Sequence, residues 1–446
     1  MFIKIKNSLS KINYKLFISL LVLGVVPTIY TTVRVFFLGQ LPSEYTFSIA
    51  GQLSWVNLLY EILSEAIVLP LFFFIGKVLT DKDEFANRIR TGLLVSVVVY
   101  MVLSIMIILF AKQLLWLMAT DQAIIEASAT YIRIESVASI FALAFNFIMV
   151  GMVTLGKEKY VYILTAVKLI LCLLADTFMV STLPISLTLG VNGIGISNII
   201  VNAVLSVAAI FLLNKEGVNI CRKVKLSFSW MKDFLKVGGI SGLESFVRNI
   251  AYMLMIVRMV NMVNEQGTYW VANNFIWGYL LLPVLQLGEL IKRKTATDEK
   301  AVKNNSIGYF VITAIICIVW VITIPLWKPF MSNVLNFSDV DKLFELVTVL
   351  LGFYMLYAFQ NVFDSTFYGL GKTNYMLFES VATNVIYYGG AFILYLCGVW
   401  TPTLIGIALL FGIGNAFDSV VSLITYVFLL KKKKINILDV DLQQKI

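Results

Sequence analysis

The residues of this chain whose types could do chemistry are charges set inside long apolar runs. Arg34 lies in residues 25–39, VVPTIYTTVRVFFLG, which close an apolar segment starting near Tyr14. That segment is long enough to cross a bilayer, which takes about 20 residues. A full charge there is costly in lipid and faces a protein interior or a wet cavity. The bland alternative is snorkelling to the nearby outer surface, since Gly39 follows closely. Pro27 cannot donate its backbone hydrogen bond, so it kinks the helix or loosens the turn before it. Glu61 and Glu65 stand four apart and share a helix face. They hold a proton or cation, pair with Arg34, or, for Glu61, lie hydrated near the outer surface. Glu244 and Arg248 stand in the favourable i, i+4 order for an ion pair. Arg258, Asp364, Glu379 and Asp418 are further charges in apolar runs. Their bland reading is a lattice of salt bridges between helices, which need not stabilise.

The elements that must hold these charges are helices in a membrane. Of 446 residues, 59% are hydrophobic, against about 45–50% in a soluble domain, and the mean hydropathy is +0.88. The fold class is therefore all-α integral membrane, with about twelve spans in two pseudo-symmetric six-helix bundles. A net charge of +9 suggests nucleic acid in a soluble domain. Here the basic residues fall in short loops, which points to the membrane surface and to no nucleic-acid partner. There is no histidine, which removes His metal sites, His proton relays and His-based triads. Cys172, Cys221, Cys317 and Cys397 are far apart and form neither a CxxC pair nor a disulfide framework. The N-terminus, with Lys4, Lys6, Lys11 and Lys15, reads as leading into a retained first helix rather than a cleaved signal.

Apolar runs place the spans near 14–38, 50–79, 91–117, 131–155, 161–183, 190–214, 229–262, 267–291, 305–331, 343–370, 374–398 and 402–430. Lys and Arg crowd alternate loops, around Lys82 to Arg90, at Lys157 and Lys159, from Lys215 to Lys225, from Lys292 to Lys303, and at Lys431 to Lys434. The positive-inside rule then sets both termini in the cytoplasm, in a multi-pass protein of the cytoplasmic membrane. The expected organisation is an amino-terminal bundle over 1–214, a cytoplasmic linker over 215–228, a carboxy-terminal bundle over 229–430 and a basic tail over 431–446. TTVR ending at Arg34 and SFVR ending at Arg248 occupy similar places in the first helix of each half, as an internal repeat does.

Several stretches carry a family resemblance. The pattern P-x-x-Y-x-x-x-R-x-x-F-L-G from Pro27 to Gly39 is one. FFFIGKVLTDKDEFANRIRTG at 72–92, LLWLMATDQAIIEASATYIRI at 114–134 and LGVNGIGISN at 189–198 are others. FLKVGGISGLESF at 234–246 and YGLGKTNY at 368–375 complete the set. In order and spacing they resemble the multidrug and toxin extrusion (MATE) transporters, over nearly the whole chain. In the resemblance, Arg34 stands where the family has a cation-binding Asp. Asp176 matches the family's fifth-helix Asp, an ion-coupling position, and Asn198 stands where a sixth-helix Thr is frequent. Cys172 replaces a frequent Asn. The seventh-helix acid aligns best with Arg248 and less well with Glu244. Asp364 lies in the tenth helix, about a turn out of register with a functional acid of some members. Lys168 is a rival partner for Asp176, although eight residues put the two roughly 80° apart around the helix.

The resemblance implies an efflux antiporter with no resident cofactor, whose coupling ion is H⁺ or Na⁺.

 The expected unit is a monomer in the lipid bilayer. Asp176, Asn198, Glu61 and Glu65 are its ion-coupling set. Arg34, Tyr30, Glu244, Arg248 and Asp364 line its substrate cavity, where Trp55 and Tyr252 are further stacking candidates. An Arg in each half favours an anionic or zwitterionic small molecule over the organic cations usual for the family. Exchange runs by rocking between inward- and outward-open states. Two rivals share these features: a flippase for lipid-linked precursors and a transport-inactive membrane scaffold. An intramembrane enzyme is not expected, because no HExxH or GxSxG-like motif lies in a span.

Overall fold

The computed structural model describes residues 2–218, 220 and 226–437. Cys221, part of the linker expected over 215–228 and the end of the tail expected over 431–446 lie outside the described residues. In chain order the helices are α1 (Phe2–Ser10), α2 (Tyr14–Gly39), α3 (Thr46–Gly51), α4 (Leu53–Gly76), α5 (Lys82–Leu117), α6 (Ile125–Thr154), α7 (Glu158–Met179) and α8 (Val191–Lys215). There follow α9 (Met231–Met262), α10 (Gln266–Leu280), α11 (Leu282–Thr297), α12 (Ala301–Asn333), α13 (Val340–Gly369), α14 (Asn374–Leu396) and α15 (Leu404–Lys432). Ten of these are long and apolar enough to span a bilayer, and α10 with α11 makes an eleventh as a bent pair. Helix α4, with 24 residues, completes the expected twelve.

Local chemistry sets the ends. Asp81 accepts hydrogen bonds from the Asp83 and Glu84 amides and starts α5, while Thr403 accepts from the Gly406 amide and starts α15. Beyond α6 and α13 the chain turns at Gly156 and Gly371, with φ of +68° and +65°. A residue without Cβ takes that left-handed conformation freely. Helix α2 is continuous through Pro27. The eighth span is not continuous: α10 and α11 meet at 52°. Pro283 stands in the first turn of α11, where its missing N–H and fixed φ are tolerated but the preceding helix cannot run on.

The chain forms two compact units, Ile29–Trp270 and Met1–Thr28 with Val271–Ile446. The contacts thus divide it at 28/29 and 270/271 rather than along the 215–228 connection. In the unit Ile29–Trp270, α6 packs along α5 and α8, and α9 packs on α4. Gly238 and Gly242 of α9 make that last approach possible. A Cβ on Gly238 would overlap the Ala66 carbonyl oxygen of α4, and one on Gly242 would stand 2.8 Å from Ala66 Cβ. This is the small-xxx-small contact by which membrane helices pack backbone to backbone. Gly238→Ala is therefore expected to cost about 1–3 kcal/mol by overpacking. Gly239→Ala is its control, because a Cβ there meets nothing within 4 Å. Equal melting temperatures of the two variants in detergent would refute the packing account.

In the unit Met1–Thr28 with Val271–Ile446, α13 packs against α11, α12 and α15. Helix α1 docks on α12: Ser8 Oγ accepts from the Gly308 amide at 2.8 Å, and Ile12 joins a core with Leu287, Ile291 and Tyr309. Ile318, Ile322 and Leu326 of α12 are more than half exposed, as a lipid-facing stripe requires.

Candidate functional site

A buried charged network occupies the unit Ile29–Trp270. Arg34 of α2 donates to Asp176 of α7 through Nε to Oδ2 at 2.9 Å and through Nη2 to Oδ1 at 3.1 Å. The pair is bidentate, the strong geometry for guanidinium and carboxylate. The same Nη2 donates to Asn198 Oδ1 of α8 at 3.1 Å. Asn198 Nδ2 in turn donates to Glu135 Oε1 of α6 at 2.8 Å. Asp176 is 1% exposed, Glu135 5% and the Arg34 side chain 12%. Arg34 therefore does not snorkel.

Two glycines bring these helices together. A Cβ on Gly193 would lie 2.6 Å from the Met179 carbonyl oxygen, and one on Gly195 would lie 2.7 Å from Ile134 Cγ2. Helix α8 thus begins in contact with the end of α7 and the first third of α6, which carries Asn198 to Glu135 and to the Arg34 guanidinium. Tyr30, one turn before Arg34, holds its ring 5.9 Å from the guanidinium carbon. Lys168 does not pair with Asp176; its ammonium stands over the Phe145 ring at 5.6 Å. Cys172 is buried.

The other expected residues of this unit form a second group. Glu61 and Glu65 meet Arg248 rather than Arg34, at 3.5 Å and 2.7 Å, and Glu244 approaches Arg248 at 3.7 Å. Three carboxylates of α4 and α9 thus surround one guanidinium, in a setting more exposed than the Arg34 pair. The tight α4–α9 approach at Gly238 and Gly242 sets this meeting two turns further on. Trp55 is a core residue, 1% exposed, and Tyr252 shares a hydrogen bond with the Tyr269 hydroxyl at 2.9 Å.

Asp364 lies in the other unit, within a third group. Gln360 Nε2 donates to Asp364 Oδ2 at 3.2 Å and to Asp418 Oδ2 at 2.6 Å. Thr383 donates to Asp418 Oδ1 at 2.7 Å, and Ser422 to Asp364 Oδ1 at 3.2 Å. Ser419 completes the set by donating to Gln360 Oε1 at 2.8 Å. Glu379 of α14 accepts from Thr425. The donors are hydroxyls and one amide, all neutral. No group of His, Cys, Asp or Glu among the described residues has a metal-holding arrangement.

Glu135 was not among the residues singled out from the sequence, and neither were Gln360, Thr383, Ser419 and Ser422. Glu135 carried one signal, a carboxylate followed by the apolar run of α6.

Comparison with known proteins places this geometry in a fold. Residues 26–178 match the MatE family model. Among solved structures, an inward-facing multidrug resistance MATE family transporter of the MOP superfamily aligns with a TM-score of 0.77 and 18% identity, covering 91% of this chain and 95% of its own. An outward-facing one gives 0.62 at 18% identity, over 94% and 96%. A MOP superfamily transporter from Pyrococcus furiosus, described as having a binding pocket of reversed polarity that suggests a different function, gives 0.68 at 18%, over 96% and 98%. No curated protein matches the chain. The chain has the fold of the MATE transporters, and its residues 26–178 carry the MatE family pattern.

Proposed function

We propose that the chain is a secondary transporter that exports an amphipathic small molecule across the cytoplasmic membrane in exchange for protons or sodium ions, by alternating access. The observation that carries this reading is the set of charges buried in membrane-spanning helices and satisfied by one another, headed by Arg34 and Asp176. Ionisable groups at such depth are expensive and mark ion and substrate pathways. Arg34 reverses the charge at a position where the family resemblance has an acid, which favours an anionic or zwitterionic substrate. The reversed pocket polarity described for the Pyrococcus furiosus transporter supports the same choice. Both termini lie in the cytoplasm on this reading, from the Lys and Arg of alternate loops.

The coupling ion belongs on carboxylates that no cation holds. Asp176 is held on both oxygens by Arg34, so an ion reaches it only when that pair opens. Asp364, Glu379 and Asp418 have only neutral donors in the hydrogen bonds described above, which leaves them open to a driving ion.

The test is transport in proteoliposomes with imposed proton or sodium gradients, with anionic, zwitterionic and cationic compounds in parallel. Gradient-driven accumulation of an anionic or zwitterionic compound is expected. Accumulation of none of the compounds under either gradient would overturn the reading.

One observation favours a flippase for lipid-linked precursors as the second reading. A groove of about 430 Å³ in the unit Met1–Thr28 with Val271–Ile446 is lined by Phe275, Tyr279, Trp320, Trp327 and Phe330, beside exposed Ile315 and Val319. An acyl chain fits its chemistry. Lipid scrambling or flipping in the same vesicles separates the two readings.

A further inference from the structure

We propose that Glu135 is a proton-carrying group of the unit Ile29–Trp270, and that Asn198 transmits its charge state to Arg34; the proposal rests on the transporter reading above. The network contains one guanidinium and two carboxylates, each carboxylate within reach of it directly or through Asn198. Arg34 spends both of its contacts to acid on Asp176. Glu135 is 5% exposed and receives the Asn198 amide at 2.8 Å. That donor is neutral.

Charge counting then fixes the two states. With a proton on Glu135 the network is neutral, as a membrane interior favours. Loss of that proton as H⁺ leaves a net charge of −1, whose nearest source of positive charge is Arg34. Asn198 bridges the two, accepting from Arg34 Nη2 on one side and donating to Glu135 Oε1 on the other. A deprotonated Glu135 therefore competes with Asp176 for the guanidinium, and protonation releases it. The proton is the only species that enters or leaves; no covalent bond other than the carboxyl O–H changes.

Among the described residues, the charged and titratable groups that interact with Glu135 are Arg34 from α2, Tyr60 from α4 and Asp176 from α7, with Tyr131 on α6 itself. Cys172 and Lys168 of α7 lie on the Arg34 side of the network. Tyr100 of α5 gives its hydroxyl to the Tyr60 carbonyl oxygen at 3.1 Å, and α8 contributes the neutral Asn198. On the same α6 and α8, Ser128 Oγ, Ser197 Oγ and Asn202 Oδ1 are buried without a partner among the described residues.

The experiment compares wild type, Glu135→Gln and Glu135→Asp in proteoliposomes, with two readouts. The first sets proton-driven uphill accumulation against substrate exchange at equal pH on both sides. The second is infrared difference spectroscopy of the purified protein across a pH step, which reads the protonated carboxyl band. Glu135→Gln mimics the protonated state and keeps an acceptor for Asn198. It is expected to retain exchange, to lose proton-driven accumulation by at least roughly tenfold, and to lack the carboxyl band of the wild type. Glu135→Asp is expected to restore part of the accumulation and a shifted band. Proton-driven accumulation in Glu135→Gln equal to wild type would overturn the proposal, as would an unchanged carboxyl band. Wild type without gradient-driven transport would instead overturn the transporter reading, and the infrared comparison then still decides whether Glu135 carries the proton.

Discussion

Removing either member of the Arg34–Asp176 pair is expected to cost about 3–5 kcal/mol of stability, while replacing both together costs little. The pair is bidentate and almost wholly buried. Asp176→Asn leaves a guanidinium in the interior beside an amide, with Glu135 two hydrogen bonds away through Asn198. Arg34→Ala leaves Asp176 and Glu135 buried with no cation in their network. In each case an unpaired charge remains, and its desolvation is no longer offset. The double variant Arg34→Met, Asp176→Leu removes both charges and keeps apolar volume, so the desolvation cost disappears with the attraction. Arg34→Lys should fall between, since an ammonium keeps the charge but not the two-pronged contact. Arg34→Asp should be the worst of the set, placing three carboxylates together. Thermal unfolding in detergent, read as a double-mutant cycle, gives the coupling directly. Additive losses from the two single changes would refute the account. Loss of transport in Asp176→Asn alone does not assign the ion, because that variant is expected to lose stability as well.

The sequence carried the helices well because each span is a continuous apolar run, and their order needs little else. It carried Arg34, Asp176 and Asn198 as a set only through the family resemblance. Pairing was harder. Glu61 and Glu65 share a face, as the i, i+4 spacing requires, yet spacing cannot say which cation meets that face. The choice of Arg248 over Arg34 follows from the α4–α9 approach at Gly238 and Gly242, a tertiary fact. Glu135 escaped notice because the fourth span was expected to begin near residue 131, which put Glu135 at a membrane surface. Helix α6 begins at Ile125, so Glu135 sits about 15 Å along it, at 1.5 Å per residue. The break before Pro283 was legible in principle, since the residue before a proline is biased away from helix. The hydroxyls around Asp364 and Asp418 carried no signal at all, because Ser and Thr commonly bond back to their own helix.

Amide substitutions at Asp364 and Asp418 are expected to do the reverse of Asp176→Asn: to spare the fold and abolish ion-driven transport. Each carboxylate already receives hydrogen bonds from neutral side chains, Ser422 and Gln360 on Asp364, Thr383 and Gln360 on Asp418. None of those donors is left as an unpaired charge when an amide oxygen replaces the carboxylate, so the stability loss should stay near about 1 kcal/mol, the worth of an ordinary hydrogen bond. The amide cannot take up and release a proton, and it attracts a sodium ion more weakly than a carboxylate does. If these acids hold the driving ion, gradient-driven accumulation should fall by roughly 100-fold, the upper end of a coupling free energy of about 1–3 kcal/mol. Glu379→Gln should share the loss, because Glu379 adds a third acid, itself buried and hydrogen-bonded to Thr425, on the neighbouring helix α14. Transport under an imposed gradient and thermal unfolding, measured on the same preparations, separate the two effects. Ion-driven transport that survives in both Asp364→Asn and Asp418→Asn would remove this group from the coupling pathway. Unfolding as severe as that of Asp176→Asn would show instead that these carboxylates are ionised and paired, and that their role is to hold α13 and α15 together.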